Sequence, residues 1–210
     1  MRKKFVRFLD QTPIAPPMMA ATDLLRLDAV AEFANNAMNL VDTWEEGHGM
    51  RVARRMELLA LEMNIPTSDI VLLKLFAILH DCGKIAVSDI ILHRRRFSVS
   101  DMDTMRGHPY NGYALIKDMG FDKRVGEAIW QHHEWWNGTG YPRGLAGLKI
   151  SEWARMLSVV DSYDSITSDR SYRKARTIPL ALQEMDREVG TKFDPQIYAI
   201  FRRMITGNDG

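Results

Sequence analysis

Histidine and aspartate side chains recur along this 210-residue chain in an order that constrains how it can fold. Five of the six histidines belong to the series, which contains two adjacent pairs, His80-Asp81 and His132-His133. The full series is His48, His80, Asp81, His108, His132, His133 and Asp161. Imidazole nitrogen and carboxylate oxygen together suit iron, manganese, zinc or nickel. We therefore expect a fold that gathers distant segments around two metal ions, with Asp81 as the carboxylate they share.

Each member of the series also has an ordinary explanation when it is taken alone. His80-Asp81 is then a capped surface pair, and His132-His133 has one packed ring and one exposed ring. Adjacent residues on a regular helix point about 100° apart, so both histidines can face one site only where a helix ends. Asp161 lies in an apolar stretch, where a carboxylate needs a partner. The series as a whole favours the metal site.

Composition is typical of a globular protein in a reducing compartment. The net charge of +1 provides no global attraction to nucleic acid or to anionic lipid. Cys82 is the only cysteine, which excludes an intramolecular disulfide and a zinc site built from thiolates. The basic start of the chain lacks the apolar stretch of a secretion signal, and charges interrupt every candidate membrane span. We expect a soluble, cytoplasmic protein with no nucleic-acid or membrane partner.

Apolar residues recur at helical spacing along most of the chain and predict an all-α fold of about eight helices. No run alternates apolar and polar residues as a half-buried β-strand does. An extended tail over 1–20 precedes a predicted amphipathic helix over 22–42. The remaining predicted helices cover about 44–63, 67–79, 100–119, 122–134, 151–167 and 179–190, and a last one starts at Asp194-Pro195.

Two local signals shape these boundaries. Ser100 and Asp103 have the spacing of a capping box and predict the start of the helix over 100–119. Gly83 follows His80-Asp81 and is expected to let the chain turn there.

Three motifs together resemble the HD-GYP subgroup of HD phosphohydrolases. They are His80-Asp81-Cys82-Gly83-Lys84, His132-His133-Glu134 and Asn137-Gly138-Thr139-Gly140-Tyr141-Pro142. Further matches are Arg51-Val52 after His48, His108-Pro109 with Gly112, Asp161 with Asp164, Arg170, Tyr172, and the run from Gly190 to Pro195. The resemblance implies an HD-domain helical bundle with catalytic function over 44–210. Residues 1–43 would then be a tail and helix that packs on this domain or pairs with a second copy as a homodimer.

The resemblance also implies an activity and a set of metal ligands. Members of the subgroup hydrolyse cyclic di-GMP, a bacterial second messenger, with two or three metal ions that are often iron or manganese. By this resemblance, one ion is held by His48, His80, Asp81 and Asp161. The other ion is held by Asp81, His108, His132 and His133. We expect linear pGpG as the product, with slow further cleavage to GMP.

Substrate contacts follow from the same resemblance. Lys84 would hold the phosphate and act with Asp81 in catalysis, although a solvated loop lysine is the alternative. Asp164, Arg170 and Arg173 would recognise guanine, although a charged surface cluster is the alternative. The loop Gly140-Tyr141-Pro142 would shape the substrate pocket beside the histidine pair.

Two positions depart from the pattern of the subgroup. Members with three metals carry a glutamate four residues before the first histidine, where this chain has Trp44. An indole ring cannot bind such an ion, and Glu45 and Glu46 would point away from the site, so we expect two metals. Arg173 stands where a lysine is common, which preserves the charge and changes the contacts available to a base.

Three other functions are compatible with these residues. The substrate can be cyclic GMP-AMP or another nucleotide. The chain can also be a binding module that keeps the fold without turnover, although the intact histidine series argues against this. A general HD nucleotidase is the third alternative, which the Gly140-Tyr141-Pro142 signature disfavours.

Overall fold

The computed structural model describes residues 47–92, 94, 97–169 and 174–207. The predictions for the tail over 1–20, for the helix over 22–42 and for the domain boundary at 43 lie outside this part of the chain. The same holds for the predictions that concern Trp44, Arg170, Tyr172 and Arg173.

Helices account for nearly all regular structure in the described residues. They are α1 (His48–Glu62), α2 (Thr67–Leu79), α3 (Asp89–Leu92), α4 (Val99–Arg106), α5 (His108–Asp118), α6 (Lys123–Gln131), α7 (Glu152–Thr167), α8 (Ile178–Asp186) and α9 (Pro195–Thr206). Two short 3₁₀ helices cover Cys82–Ala86 and Gly147–Lys149. No β-strand occurs in the described ranges, so the predicted all-α fold class is confirmed. Within the same ranges, no helix is both long enough and apolar enough to cross a membrane.

Helix α7 is the central element of the bundle. It packs against α1, α6, α8 and α9, and its buried side chains lie on all of its faces. Trp153, Met156 and Val160 are among the apolar residues that it contributes to the core. Because a helix enclosed in this way has little contact with water, the polar groups that it carries need partners within the protein.

The helix predicted over 100–119 is wrong, because the structure has two helices there, α4 and α5, which meet at Gly107. Pro109 lies in the first turn of α5. Proline has no N–H, so it cannot donate to the carbonyl of Met105, four residues earlier. That carbonyl instead lies 2.7 Å from Nδ1 of His108. The break in the helix therefore provides a fixed orientation for the His108 ring.

The cap predicted at Ser100 and Asp103 is also wrong, by two residues. Helix α4 begins at Val99, and the capping box is formed by Ser98 and Asp101. The Asp101 carboxylate accepts from the backbone N of Ser98 at 2.8 Å, and Ser98 Oγ accepts from the backbone N of Asp101 at 3.2 Å. Both pairs have the spacing that a capping box requires, but only Asp101 gains an ion pair, with Arg94 at 2.6 Å.

Asp194 joins the start of α9 to the central helix. Its Oδ1 accepts from the backbone N of Gln196 at 2.9 Å, which caps α9 as the sequence predicts. Its other oxygen forms an ion pair with Arg155 of α7. Asp194 is 3% exposed, so the pair is shielded from water and from salt.

We expect Asp194→Ala to lower the free energy of unfolding by about 3–5 kcal/mol, because it removes the cap and leaves Arg155 without its buried anion. Asp194→Asn keeps one acceptor and should fall between this variant and the wild type. Glu184→Gln is the matched control, because Glu184 forms an exposed ion pair with Arg176 and its loss should cost less than about 1 kcal/mol. Urea unfolding followed by circular dichroism measures all three. Equal effects of Asp194→Ala and Glu184→Gln would contradict the assignment.

Candidate metal centre

All seven residues of the histidine and aspartate series meet in two neighbouring groups. The first group is Asp81, His108, His132 and His133, and the second is His48, His80 and Asp161. In each group, one donor atom from every residue lies within 4.8 Å of the others. Segments that are far apart in the sequence therefore converge on one place, with donor atoms able to bind metal ions.

Asp81 lies between the two groups. Its Oδ1 is 3.1 Å from Nε2 of His108, in the first group. Its Oδ2 is 3.3 Å from Nε2 of His80, in the second group, and 2.7 Å from Nζ of Lys84. The two oxygens of one carboxylate thus face different groups, which is the arrangement expected of a residue shared by two ions.

Three histidines are oriented by backbone carbonyls in the same way. Nδ1 of His80 lies 2.7 Å from the carbonyl of Ala77, and Nδ1 of His132 lies 2.6 Å from that of Ile129. His108 makes the equivalent contact with Met105, described above. A carbonyl oxygen can only accept, so Nδ1 carries a proton in each ring, which leaves Nε2 as the nitrogen that can bind a metal. Hydrogen bonds of this kind fix the tautomer that a metal ligand needs.

The positions of these histidines explain why the carbonyls are available. His80 and His132 directly follow the last residues of α2 and α6, and His108 follows the junction after α4. The last carbonyls of a helix have no donor within the helix, so a side chain that follows can supply one. Because α6 ends at Gln131, the His132 and His133 rings can both turn towards the same group, and their centroids lie 4.1 Å apart.

A positive charge is required between these donor atoms. Nε2 of His108 and Nε2 of His132 are 3.1 Å apart, and each Nδ1 already holds its proton. Two lone pairs at this distance repel each other unless a cation lies between them. Burial lowers the pKa of His132 well below its ordinary value, and His133 and His108 lower it further. His132 therefore favours the neutral form, which can bind a metal, so the donor set fits divalent ions.

The carboxyl groups of Asp81 and Asp161 favour the ionised form. Burial opposes ionisation of Asp81, but Lys84 and His80 hold the pKa of its carboxyl well below the ordinary value. Burial likewise opposes ionisation of Asp161, and the hydrogen bond and charge of His48 outweigh it. Burial lowers the pKa of His133 to about 3. The first group thus combines an anionic oxygen with the neutral imidazole of His133, a combination that suits metal binding.

His48 connects α1 to two aspartates of α7. Its Nε2 lies 3.2 Å from Asp161, and its Nδ1 lies 2.8 Å from Asp164. The aspartates are three residues apart, so they share one face of the helix. Asp164 is 1% exposed and also accepts from Arg51 at 3.0 Å and from Arg55 at 2.5 Å. The structure therefore places Asp164 behind His48, fully occupied by three donors.

Gly83 is required by close packing. An added Cβ would lie 1.9 Å from the carbonyl oxygen of His108 and 2.5 Å from the backbone N of Gly112. Its φ does not lie in the left-handed region, so the turn expected from its conformational freedom is not the reason for a glycine here. The 3₁₀ helix after Asp81 instead lies directly against the start of α5, which brings Asp81 and His108 together.

The loop Gly140-Tyr141-Pro142 folds back over the histidine pair. A Cβ on Gly140 would lie 2.3 Å from the backbone N of Trp135, so only glycine fits this approach. The Tyr141 ring stacks on the His133 ring, with centroids 4.7 Å apart and planes at 24°. The Arg106 guanidinium lies 5.5 Å from the centre of the Tyr141 ring. Tyr141 thus covers one side of the first donor group.

Three residues of the site were not predicted from the sequence. Arg55 pairs with Asp164, as described above. Glu134 is 2% exposed and accepts from the backbone N of Arg143 at 2.7 Å and of Leu145 at 2.9 Å, which fixes the loop. Lys192 donates to Ser162 Oγ at 2.7 Å. Glu134 directly follows His132-His133, and Lys192 lies in the run from Gly190 to Pro195, so both belong to matched segments to which no role was assigned.

Comparisons with known proteins agree with this architecture. A family model described as HD domain matches residues 32–197. The chain is 36% identical over 166 residues to a cyclic di-GMP phosphodiesterase of Pseudomonas aeruginosa, covering 78% of this chain and 40% of that protein. It is 28% identical over 193 residues to a 3'3'-cGAMP-specific phosphodiesterase of Vibrio cholerae, covering 90% of this chain and 42% of that protein. The chain therefore spans about two fifths of the length of these curated relatives.

One solved structure has a fold similar to that of this chain. An HDG"Y"P protein from Bdellovibrio bacteriovorus matches with a TM-score of 0.65 and 25% sequence identity, over 86% of this chain and 62% of that chain.

We expect Gly83→Ala to displace the backbone of His108 and so to disturb both packing and the first donor group. The melting temperature should fall by an amount equivalent to about 1–3 kcal/mol, and the metal retained per chain should fall with it. Gly126→Ala in α6 is the control, because its Cβ would meet only side chains, the Tyr113 ring at 3.3 Å and Ile116 at 3.9 Å. Thermal unfolding and elemental analysis provide the readouts. A Gly83→Ala protein that matches Gly126→Ala in both would show that the close approach has no such role.

Proposed function

The chain belongs to the HD domain family, in the HD-GYP branch that its motifs predict, and on that premise we propose that it is a metal-dependent cyclic di-GMP phosphodiesterase. One observation carries the proposal: two groups of metal-binding side chains lie on either side of Asp81, and a lysine contacts the same carboxylate. Relatives named as cyclic di-GMP phosphodiesterases support the choice of substrate.

We assign two divalent ions to the site, iron or manganese in the first place and nickel or zinc as alternatives. The first ion would be held by Asp81, His108, His132 and His133. The second would be held by His48, His80, Asp81 and Asp161. When bound, such ions supply an acidified water and positive charge at the phosphorus.

We assign Lys84 to bind a phosphate group of the substrate. Its Nζ lies 2.7 Å from Asp81, at the edge of the donor atoms, and its side chain is mostly shielded from solvent. A flexible ammonium suits a phosphoryl oxygen, and its charge offsets the negative charge that grows there during hydrolysis. Water adds to the phosphorus, the bond to the 3′-oxygen breaks, and that oxygen takes a proton. The product is linear pGpG, with slow further cleavage to GMP.

We assign Asp164 a role other than the guanine contact that the resemblance implied. Its carboxylate is almost completely buried and already accepts from His48, Arg51 and Arg55. We assign it to orient His48, so that Nε2 of that ring points towards the second ion. Arg170 and Arg173 remain the residues proposed to contact guanine. Tyr141, held by Gly140 and Pro142, forms a wall of the pocket beside His133.

Cyclic GMP-AMP is the second candidate substrate. The relative from Vibrio cholerae named as a 3'3'-cGAMP-specific phosphodiesterase aligns with 90% of this chain. Each cyclic dinucleotide contains two phosphodiester linkages, and the two compounds differ in one base. A metal site that hydrolyses one compound can therefore hydrolyse the other. Competition of both substrates in one assay separates the candidates.

The experiment that tests the proposal starts from protein purified anaerobically. We expect about two metal ions per chain, hydrolysis of cyclic di-GMP, and accumulation of pGpG. Asp81→Ala should lose bound metal and reduce kcat on the order of 100-fold or more, because both groups lose their shared oxygen ligand. Asp118→Ala removes an exposed carboxylate at the end of α5 and is the matched control.

Three results of this experiment would contradict part of the proposal or favour an alternative to it. A well-folded protein that binds no metal would support a binding module without turnover. Rapid conversion to GMP would contradict the expected accumulation of pGpG. Preferential loss of cyclic GMP-AMP in the competition would select the second candidate.

Replacement of Asp164 tests its assignment as an orienting residue. Asp164→Asn should weaken metal binding about 10–100-fold, because His48 loses the anion that fixes its tautomer. Substrate KM, measured at saturating metal, should change little. Chelator competition gives the metal affinity. A raised KM with unchanged metal affinity would return Asp164 to the guanine contact.

A further inference from the structure

Lys192 lies beside the metal centre on a segment fixed to the loop after the histidine pair. The backbone N of Trp136 donates to the carbonyl of Lys192 at 3.1 Å, and the backbone N of Asn137 donates to that of Thr191 at 2.9 Å. These bonds connect the stretch between α8 and α9 to the residues that follow His132-His133. The Lys192 backbone is therefore held in place next to the pocket wall.

The Lys192 side chain extends towards the central helix. Its Nζ donates to Ser162 Oγ at 2.7 Å, and Ser162 directly follows Asp161 on α7. Ser162 Oγ in turn donates to the carbonyl of Ser158 at 2.7 Å, so its lone pairs face the ammonium. The Trp135 ring lies 6.0 Å from Nζ, which encloses the charge further. Among the described residues, Ser162 is the one hydrogen-bond partner of an ammonium that has three donors.

The charge of Lys192 needs an anion. The acidic groups that act on its ammonium are Asp161 and Glu188. In the proposed centre, the Asp161 carboxylate binds a divalent ion, which neutralises the negative charge that Lys192 experiences. A largely buried cation near the second divalent ion is unfavourable unless a further anion binds there.

We propose that Lys192 binds a phosphate oxygen of the substrate, as the second lysine of the pocket. The inference rests on the proposed function, because it takes Asp161 as a metal ligand. Lys84 contacts Asp81 between the donor groups, and Lys192 lies beside Asp161 of the second group. A cyclic dinucleotide carries two phosphodiester groups, each with one negative charge, so two separate lysines match its charge distribution.

The test measures phosphate binding directly. Inorganic phosphate is titrated calorimetrically into the metal-loaded full chain, for the wild type and for Lys192→Gln, Lys192→Met and Lys192→Arg. We expect Lys192→Gln to keep its metal content and to bind phosphate about 10-fold or more weakly. KM for cyclic di-GMP should rise by a similar factor, and Lys192→Arg should recover most of the loss. Lys123→Gln, at the far end of α6, removes the same charge and should match the wild type.

Two outcomes overturn the inference. Wild-type phosphate affinity in a folded, metal-loaded Lys192→Gln protein would show that Lys192 only joins α7 to the loop. Loss of metal together with phosphate binding would show that it supports the metal ligands. If Lys192→Gln does not fold, Lys192→Met keeps the apolar part of the side chain against Trp135 and gives the same comparison. The titration needs no turnover, so a wild-type protein that fails to hydrolyse cyclic di-GMP contradicts the proposed function separately.

Discussion

Mutual repulsion among buried donor atoms is the constraint on which the rest of this structure depends. Oxygen and nitrogen lone pairs from seven side chains converge in a region largely closed to water. Such a cluster is unstable unless positive charge lies within it or around it. The chain provides part of that charge itself, through Lys84 at Asp81 and through Arg51 and Arg55 at Asp164. The two groups are able to bind metal ions, which would provide the rest.

Helix ends make the convergence possible. A histidine within a regular helix shares its face with residues three and four positions away, and its neighbour in sequence points elsewhere. At the ends of α2 and α6, the unpaired carbonyls of Ala77 and Ile129 accept from Nδ1 and fix each ring with Nε2 outward. The free carbonyls at a helix end thus determine which ring nitrogen carries the proton in the histidine that follows the helix.

Much of this arrangement was predictable from the sequence, because the series of histidines and aspartates is a local pattern with few structural explanations. The helical fold and most helix positions followed from apolar spacing. The division of the helix over 100–119 was missed, although Pro109 inside that range is a local signal for a break. The correct cap depended on Arg94, which the spacing of Ser98 and Asp101 does not reveal.

The contacts that orient the residues of the site were harder to predict from the sequence. Asp164 matched a motif, but its burial behind His48 depends on two arginines of α1 that approach it only in three dimensions. Glu134 and Lys192 lie in segments that match the family, but their contacts with the backbone of a loop and with a serine on another helix form only in the folded chain. Gly83 was noticed for its conformational freedom, whereas its role is to allow contact with the backbone of His108.

The pairing of Trp136 and Asn137 with the backbone at 191–192 links the pocket wall to the last helices of the chain. Tyr141 stacks on His133 from this loop. The connection between α8 and α9 and the segment that follows the histidine pair therefore form one hydrogen-bonded unit. A substitution that displaces this connection would also displace the backbone that leads to the Tyr141 ring.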